Sequence, residues 1–141
     1  MARELKSLIR LHKWDVDEKR RKLGELLQLL DNLVDEAHKL ENEVKNEQAI
    51  ASASPEEVGF AYGNYAEEAI RRRDRIVASI AKADTEIEVA RGELSEAYLV
   101  LKKYEIAQDM RLKKEALERS RREQIVLDEI GLQGHRRKRH A

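Results

Sequence analysis

Apolar residues recur every seven positions along two long stretches of this chain, and that repeat constrains the fold more than any other feature. In the first stretch, about residues 3–50, it forms two columns that correspond to the a and d positions of a left-handed coiled coil. One column contains Ile9, Val16, Leu23, Leu30, Ala37 and Val44, and the other contains Leu5, His12, Lys19, Leu26, Leu33 and Leu40. About six heptads without a proline predict one long helix.

The second stretch begins near Pro55 and repeats the arrangement. Its columns are Tyr62, Ala69, Ile76, Ala83, Ala90, Ala97 and Tyr104, and Ala66, Arg73, Ile80, Ile87, Leu94 and Leu101. Many of these residues are alanines, so we expect small residues to pack against large ones across the seam between the helices.

The chain's single proline separates the two stretches. Ser54 is a good N-cap residue, Pro55 suits the first helical position, and Glu57 completes a capping box. The sequence therefore predicts helices at about 3–50 and about 55–130, a turn at about 51–54, and a basic disordered tail at 131–141. The predicted fold is a single all-α domain: a long antiparallel two-helix coiled-coil hairpin with an overhanging C-terminal helix.

The register between the helices is predicted by placing large residues beside small ones. The best alignment sets Leu5 opposite Tyr104 and Leu30 opposite Ile80. A slip of one heptad that sets Leu30 opposite Arg73 would desolvate a guanidinium without a partner. In the first alignment the paired region is about 70 Å long, and the second helix continues alone beyond Glu105 for about 38 Å.

Composition supports a coiled coil rather than a globular core. Charged residues make up 40% of the chain and aromatic residues 4%, which a thin apolar seam tolerates and a globular core does not. Disorder is the competing interpretation, and the regular repeat argues against it. The chain has no cysteine and no signal-peptide pattern, so we expect a soluble cytoplasmic protein.

The chemical motifs of enzymes and cofactor sites are not found. The sequence contains no glycine-rich phosphate loop, no paired zinc histidines on a helix and no nucleophile elbow. The four histidines are scattered along the predicted helices and tail. We therefore expect a protein that is not an enzyme and that binds no metal, cofactor or small-molecule ligand.

Two apolar features outside the seam are candidate docking sites. Leu11 and Trp14 are three residues apart at positions where a solvated coiled coil carries charge, and tryptophan is frequent at interface centres. Near the turn, residues 58–65 contain the only Phe and two of the four Tyr. These aromatic residues either fill the hairpin tip or form a second docking site.

The far end of the chain is basic, with 10 basic and 7 acidic residues between Glu105 and Ala141, while the formal net charge of the whole chain is +0. A nucleic-acid-binding helical rod is one hypothesis for this end. Without a recognition fold or interleaved aromatics, solvated helix faces are the preferred interpretation, and we expect no nucleic-acid partner.

Three segments of the C-terminal half form a pattern that resembles the FliJ family of the bacterial flagellar type III export apparatus. They are ARGELSEA at 90–97, KKYE at 102–105 and RREQIVLDEI at 121–130. The length, the order of the helices and the longer second helix are also similar to that family.

The resemblance implies a monomeric coiled coil, similar to the stalk of rotary ATP synthases, that links the hexameric export ATPase to the membrane export gate and to export chaperones at the inner membrane. The implied ATPase-binding residues are Leu5, Leu8, Leu11, Trp14, Gln124, Leu127 and Asp128. The implied gate-binding residues are Leu40, Phe60, Tyr62 and Tyr65. The alternative function is a structural scaffold or tether that acts by self-association.

Overall fold

The computed structural model describes the backbone of residues 2–140 and the side chains of residues 3–54 and 61–139. Helix α1 spans Ala2–Ala53 and helix α2 spans Pro55–His140. The two helices pack against each other and the described residues contain no strand, which confirms the predicted all-α helical hairpin.

Ser54 is the only non-helical residue between α1 and α2, so the connection is shorter than the predicted turn. Its backbone N–H donates to the carbonyl oxygen of Ile50 at 3.3 Å, which extends the bonding pattern of α1 up to the proline. The predicted capping box requires the Glu57 side chain, which lies outside the described residues.

The C-terminal end of α2 differs from the predicted boundary. The helix was expected to end near residue 130, before a disordered tail at 131–141, but it continues to His140. Gly131 and Gly134 end a helix when they adopt positive φ, and neither does so here. The residues around them include good helix formers such as Arg, Lys and Gln, so each glycine weakens the helix without terminating it.

Contacts divide the chain into two compact units, Trp14–Ala97 and Met1–Lys13 with Tyr98–Ala141. In the Trp14–Ala97 unit, both helices contribute one apolar stripe to a thin core. Its buried residues are Val16, Leu40, Ala69, Ala83, Ile87, Ala90 and Ala97. Lys22 pairs with Glu93, Nζ to Oε2 at 3.6 Å, and Arg72 pairs with Glu43, Nη1 to Oε2 at 3.4 Å. Residue numbers rise along one helix as they fall along the other, so the pair is antiparallel.

In the unit formed by Met1–Lys13 and Tyr98–Ala141, Ile9 and Leu101 are buried. The rings of His12 and Tyr104 stack, with centroids 4.9 Å apart. Half-buried residues on α2 extend to Arg111, and every described side chain from Leu112 to Arg139 is exposed. The uncovered part of α2 therefore begins later than the predicted position after Glu105.

The predicted columns are the observed seam, with one exception. Every predicted column residue of α1 is buried or half-buried, and so is every predicted column residue of α2 except Arg73. Arg73 is exposed, and the half-buried position belongs to its neighbour Arg72, whose guanidinium pairs with Glu43. This arrangement avoids the buried, unpaired guanidinium that the sequence argument identified as unfavourable.

The predicted register is wrong by about one heptad. Tyr104 contacts His12 instead of Leu5, and the Arg72–Glu43 and Lys22–Glu93 pairs are shifted in the same direction. A shift of seven residues keeps the same columns face to face, so only the identity of the partners distinguishes the alternatives. The observed register gains the stacked His12–Tyr104 pair and covers more of α2 with α1.

Candidate protein-docking sites

The first candidate site lies in the Met1–Lys13 and Tyr98–Ala141 unit, where six of the seven predicted ATPase-binding residues fall into two groups. Leu5, Leu8 and Leu11 lie on α1, and Leu11 is the most exposed at 56%. Leu5 is half-buried and borders a small cleft of about 40 Å³ with Gln108 and Leu112. The first turns of α1 thus pack against α2 near residues 108–112.

The second group, Gln124, Leu127 and Asp128, lies further along α2. Gln124 Nε2 donates to Asp128 Oδ1 at 3.0 Å, across one helical turn. Leu127 is 62% exposed and borders a shallow surface cleft with Val126. From Leu112 to Asp128 the helix advances about 24 Å. Leu5 contacts the α2 segment near Leu112, so the structure does not bring the two groups into one contiguous site.

Trp14 is the first residue of the Trp14–Ala97 unit, and its side chain is 61% exposed. It is the chain's only tryptophan. A side chain of this size, uncovered on a helix face, provides a large apolar contact area for a partner. The exposure agrees with the position outside the seam that the heptad pattern predicted.

The second candidate site, in the Trp14–Ala97 unit, contains Leu40, Tyr62 and Tyr65. The rings of Tyr62 and Tyr65 contact each other with centroids 6.4 Å apart and an interplanar angle of 36°. Phe60 was predicted to join them, and its side chain lies outside the described residues. Leu40 is 4% exposed and belongs to the seam, so a partner cannot contact most of its side chain while the helices stay packed.

The Tyr65 hydroxyl is enclosed and forms no hydrogen bond with normal geometry to any described group. Burial of this hydroxyl raises the pKa of Tyr65, and the nearby carboxylates of Glu43 and Glu47 raise the pKa further, because both effects disfavour the phenolate. Arg72 opposes the shift in pKa. Tyr65 therefore stays protonated to a higher pH than an ordinary tyrosine.

The Glu43–Arg72 ion pair connects the tyrosines with a neighbouring open cleft. Arg72 borders this cleft of about 380 Å³ together with Leu40, Arg75 and Glu36. On the other side, Glu43 lies beside Tyr65. The sequence did not predict the pairing of Glu43 with Arg72, because a charged residue next to a seam is ordinary in a coiled coil. Only the register brings the two side chains together.

The described residues include no group of three or more His, Asp or Glu side chains that could hold a metal ion. No helix in the described part of the chain has a stretch that is both long and apolar enough to cross a membrane. What the side chains offer is contact area: apolar and aromatic surface, with charged residues around it.

Comparison with known proteins identifies one family. The family model described as the flagellar FliJ protein matches residues 1–140, which is almost the whole chain. No curated protein and no solved structure matches the chain. The match agrees with the resemblance found at 90–97, 102–105 and 121–130. The chain belongs to the flagellar FliJ protein family, whose members are components of flagellar type III protein export.

Proposed function

We propose that this protein is a non-enzymatic central stalk of the flagellar type III export apparatus. In this proposal it binds the hexameric export ATPase, and it links the ATPase to the membrane export gate and to export chaperones. It acts in the cytoplasm at the inner membrane and is a monomer when free.

The observation that best supports the ATPase contact is the uncovered C-terminal part of α2. Every described side chain from Leu112 to Arg139 is exposed. The large apolar side chains of this segment are each more than half exposed: Leu112, Leu117, Ile125, Val126, Leu127, Ile130 and Leu132. A surface of this kind is typical of an interaction site, because isolated proteins rarely leave so many large apolar residues uncovered on one segment.

The same segment has an energetic reason to bind. A helix without tertiary packing is marginally stable in water, because propensity alone barely offsets the backbone entropy. Gly131 and Gly134 each weaken it by about 1 kcal/mol relative to alanine. Insertion into a ring of subunits would bury its apolar residues and stabilise the helix, so that binding and helix ordering are coupled.

The proposed gate contact uses the aromatic site in the Trp14–Ala97 unit. Tyr62 and Tyr65 provide aromatic surface beside the Glu43–Arg72 pair, and Phe60, whose side chain lies outside the described residues, is proposed to extend it. Leu40 is buried in the seam and borders the same open cleft as Arg72. Exposed ion pairs contribute only about 0–1 kcal/mol to stability. Glu43 or Arg72 can therefore break their half-exposed pair and bind a charged group of the gate protein instead at little cost.

The ATPase contact can be tested with matched substitutions of exposed aliphatic residues. Leu127→Ala is expected to weaken binding to the cognate export ATPase about tenfold, as is typical of an interface anchor. Val77→Ala serves as the control, because Val77 is 57% exposed and lies outside both proposed sites. Binding is measured by isothermal titration calorimetry, with stimulation of ATP hydrolysis as a second readout.

Trp14→Ala is expected to weaken ATPase binding by at least as much as Leu127→Ala, because it removes a larger exposed side chain. Equal binding by the wild type and both variants, with Val77→Ala also unchanged, would show that neither residue contacts the ATPase.

The gate contact can be tested with its own matched pair of substitutions. Tyr62→Ala is expected to weaken binding to the cytoplasmic domain of the export gate, whereas Tyr98→Ala, which removes an exposed tyrosine outside the site, is expected to leave it unchanged. Thermal unfolding of both variants, followed by circular dichroism, separates a lost contact from a loosened seam. Equal affinity of the two variants for the gate would contradict the assignment.

A further inference from the structure

Helix α2 has a second apolar stripe, which meets the proposed ATPase-binding segment only at its C-terminal end, near Leu117. It consists of Leu99, Ile106, Met110 and Leu117, which are 65%, 52%, 66% and 54% exposed. They are separated by seven, four and seven residues, which is the spacing of one seam of a coiled coil. The stripe lies entirely within the Met1–Lys13 and Tyr98–Ala141 unit.

The second stripe faces away from α1. On this part of α2 the residues packed toward α1 are Leu101, Tyr104, Gln108 and Arg111, which are buried or half-buried. Successive residues turn by about 100° around a helix, so the centre of the second stripe lies about 180° from that seam. Because α1 covers the opposite face, the hairpin cannot bury this stripe itself.

Lysines occupy the positions between the apolar residues. The a row of the second stripe is Lys103, Met110 and Leu117, and the d row is Leu99, Ile106 and Lys113. Lys113 Nζ lies 3.0 Å from Asp109 Oδ2, and Lys102 and Lys114 add positive charge beside the rows. A helix packed on this face would therefore meet apolar side chains and a surplus of positive charge.

The charges argue against a second copy of this chain as the occupant. The spacing of the stripe is symmetric, so an antiparallel pair of copies would set Leu99 opposite Leu117 and Ile106 opposite Met110. The same alignment sets Lys103 opposite Lys113 in two layers of the seam. Like charges held together in a desolvated layer repel each other and lower the affinity between two copies. The lysines therefore disfavour the one self-pairing alignment that matches the apolar residues.

A membrane surface is also a poor fit. Helices that lie in the interface of a bilayer present a broad apolar face, usually with tryptophan or phenylalanine, and keep their lysines on the polar side. Here the apolar stripe is narrow, contains no aromatic residue and has Lys103 and Lys113 within its rows. A helical partner with acidic residues opposite these lysines satisfies both the apolar and the charged positions.

We propose that the face formed by Leu99, Lys103, Ile106, Met110, Lys113 and Leu117 is a docking seam for an amphipathic helix of another protein, with acidic side chains facing the two lysines. Lys113 and Leu117 also lie in the uncovered segment proposed to contact the ATPase, whereas Leu99, Lys103, Ile106 and Met110 lie outside the ATPase and gate contacts, so substitutions at Ile106 and Met110 test this proposal separately from the stalk function.

The probe is a designed helical peptide about three heptads long, with glutamate at the two core positions opposite Lys103 and Lys113 and leucine at the other a and d positions. A control peptide carries lysine in place of those glutamates. Fluorescence anisotropy with the full-length protein is expected to show about tenfold tighter binding of the acidic peptide at low salt. The charge-swapped variant, Lys103→Glu with Lys113→Glu, is expected to reverse this preference.

The double variant Ile106→Ser with Met110→Ser is expected to abolish binding of the acidic peptide, whereas Val77→Ala with Val89→Ala, which removes exposed aliphatic area elsewhere on α2, leaves it unchanged. Equal affinity for the two peptides, or undiminished binding by the Ile106/Met110 variant, would overturn the proposal. So would sedimentation equilibrium showing a dimer that the Ile106/Met110 variant abolishes, or stripe-dependent binding to phosphatidylcholine–phosphatidylserine vesicles.

Discussion

Leu40 and Leu127 are both leucines, but one is buried in the seam and the other is exposed. Substituting each with alanine therefore tests the assignment of the buried seam. Leu40 is 4% exposed and Leu127 is 62% exposed. Removing a buried leucine side chain costs about 2–5 kcal/mol, because burial energy is lost and a cavity remains. Truncating an exposed leucine changes the free energy of unfolding by about 0.5 kcal/mol or less.

The surroundings of Leu40 favour the lower part of this range for the loss in the free energy of unfolding. Leu40 borders an open cleft of about 380 Å³, so water can enter the space that the missing atoms leave. Partial hydration reduces the cavity term, and we expect a loss of about 2–3 kcal/mol for Leu40→Ala.

The assay is urea unfolding followed by circular dichroism, with both variants and the wild type compared at the same protein concentration. Equal losses for Leu40→Ala and Leu127→Ala would refute the burial assignment. A loss below about 0.5 kcal/mol at Leu40 would do the same, because it is the value expected of an exposed site.

Three further predictions concern the register, a glycine and a tyrosine. In this cysteine-free chain, a cysteine pair at His12 and Tyr104 is expected to form a disulfide under mild oxidation and a pair at Leu5 and Tyr104 is not; the opposite result would support the predicted register. Gly24→Ala is expected to stabilise the fold by about 1 kcal/mol, because a Cβ there meets nothing within 4 Å, and unchanged urea unfolding would contradict this. Tyr65 has a raised pKa, so the stability conferred by its protonated form is complete below the ordinary pKa of 10.0 and is lost as the pH rises through the raised pKa of the folded protein. An ultraviolet titration of wild type minus Tyr65→Phe should show a midpoint above 10.0, and a midpoint at or below 10.0 would contradict the assignment.

The membership of the seam was predictable from the sequence because it depends on local spacing. A residue such as Val16 or Ile87 lies on the apolar face of its own helix whatever its partner is. Arg73 was misassigned because the heptad column passes through it, although an arginine one position earlier can pair with Glu43 at the edge of the seam.

The register was not predictable in the same way. A slip of seven residues returns every column to the same face, so hydrophobic spacing cannot distinguish the alternatives. A slip of one heptad in one direction sets Leu30 opposite Arg73, whereas the observed register is slipped in the other direction and sets His12 against Tyr104. Contacts that identify the observed register include the stacked His12–Tyr104 pair and the Lys22–Glu93 and Arg72–Glu43 ion pairs.

The candidate sites were predictable where they follow from exposure on a helix face, as at Trp14 and Leu127. The Glu43–Arg72 pair and the burial of Leu40 depend on contacts between the helices, so the sequence alone did not reveal them. The stripe at Leu99 and Ile106 was visible as a second repeat at seam spacing, out of phase with the first. The first repeat already explains the helix, so the sequence alone does not require a second stripe.

The most direct test of the proposed function is hydrogen–deuterium exchange of the protein with and without its cognate export ATPase. In the free protein, amides of residues 112–139 are expected to exchange much faster than amides of the seam, since every described side chain of this segment is exposed. On addition of the ATPase, we expect a large gain in protection from exchange within this segment. Unchanged exchange at 112–139 in a complex shown to have formed would contradict the claim that the uncovered end of α2 is the ATPase contact.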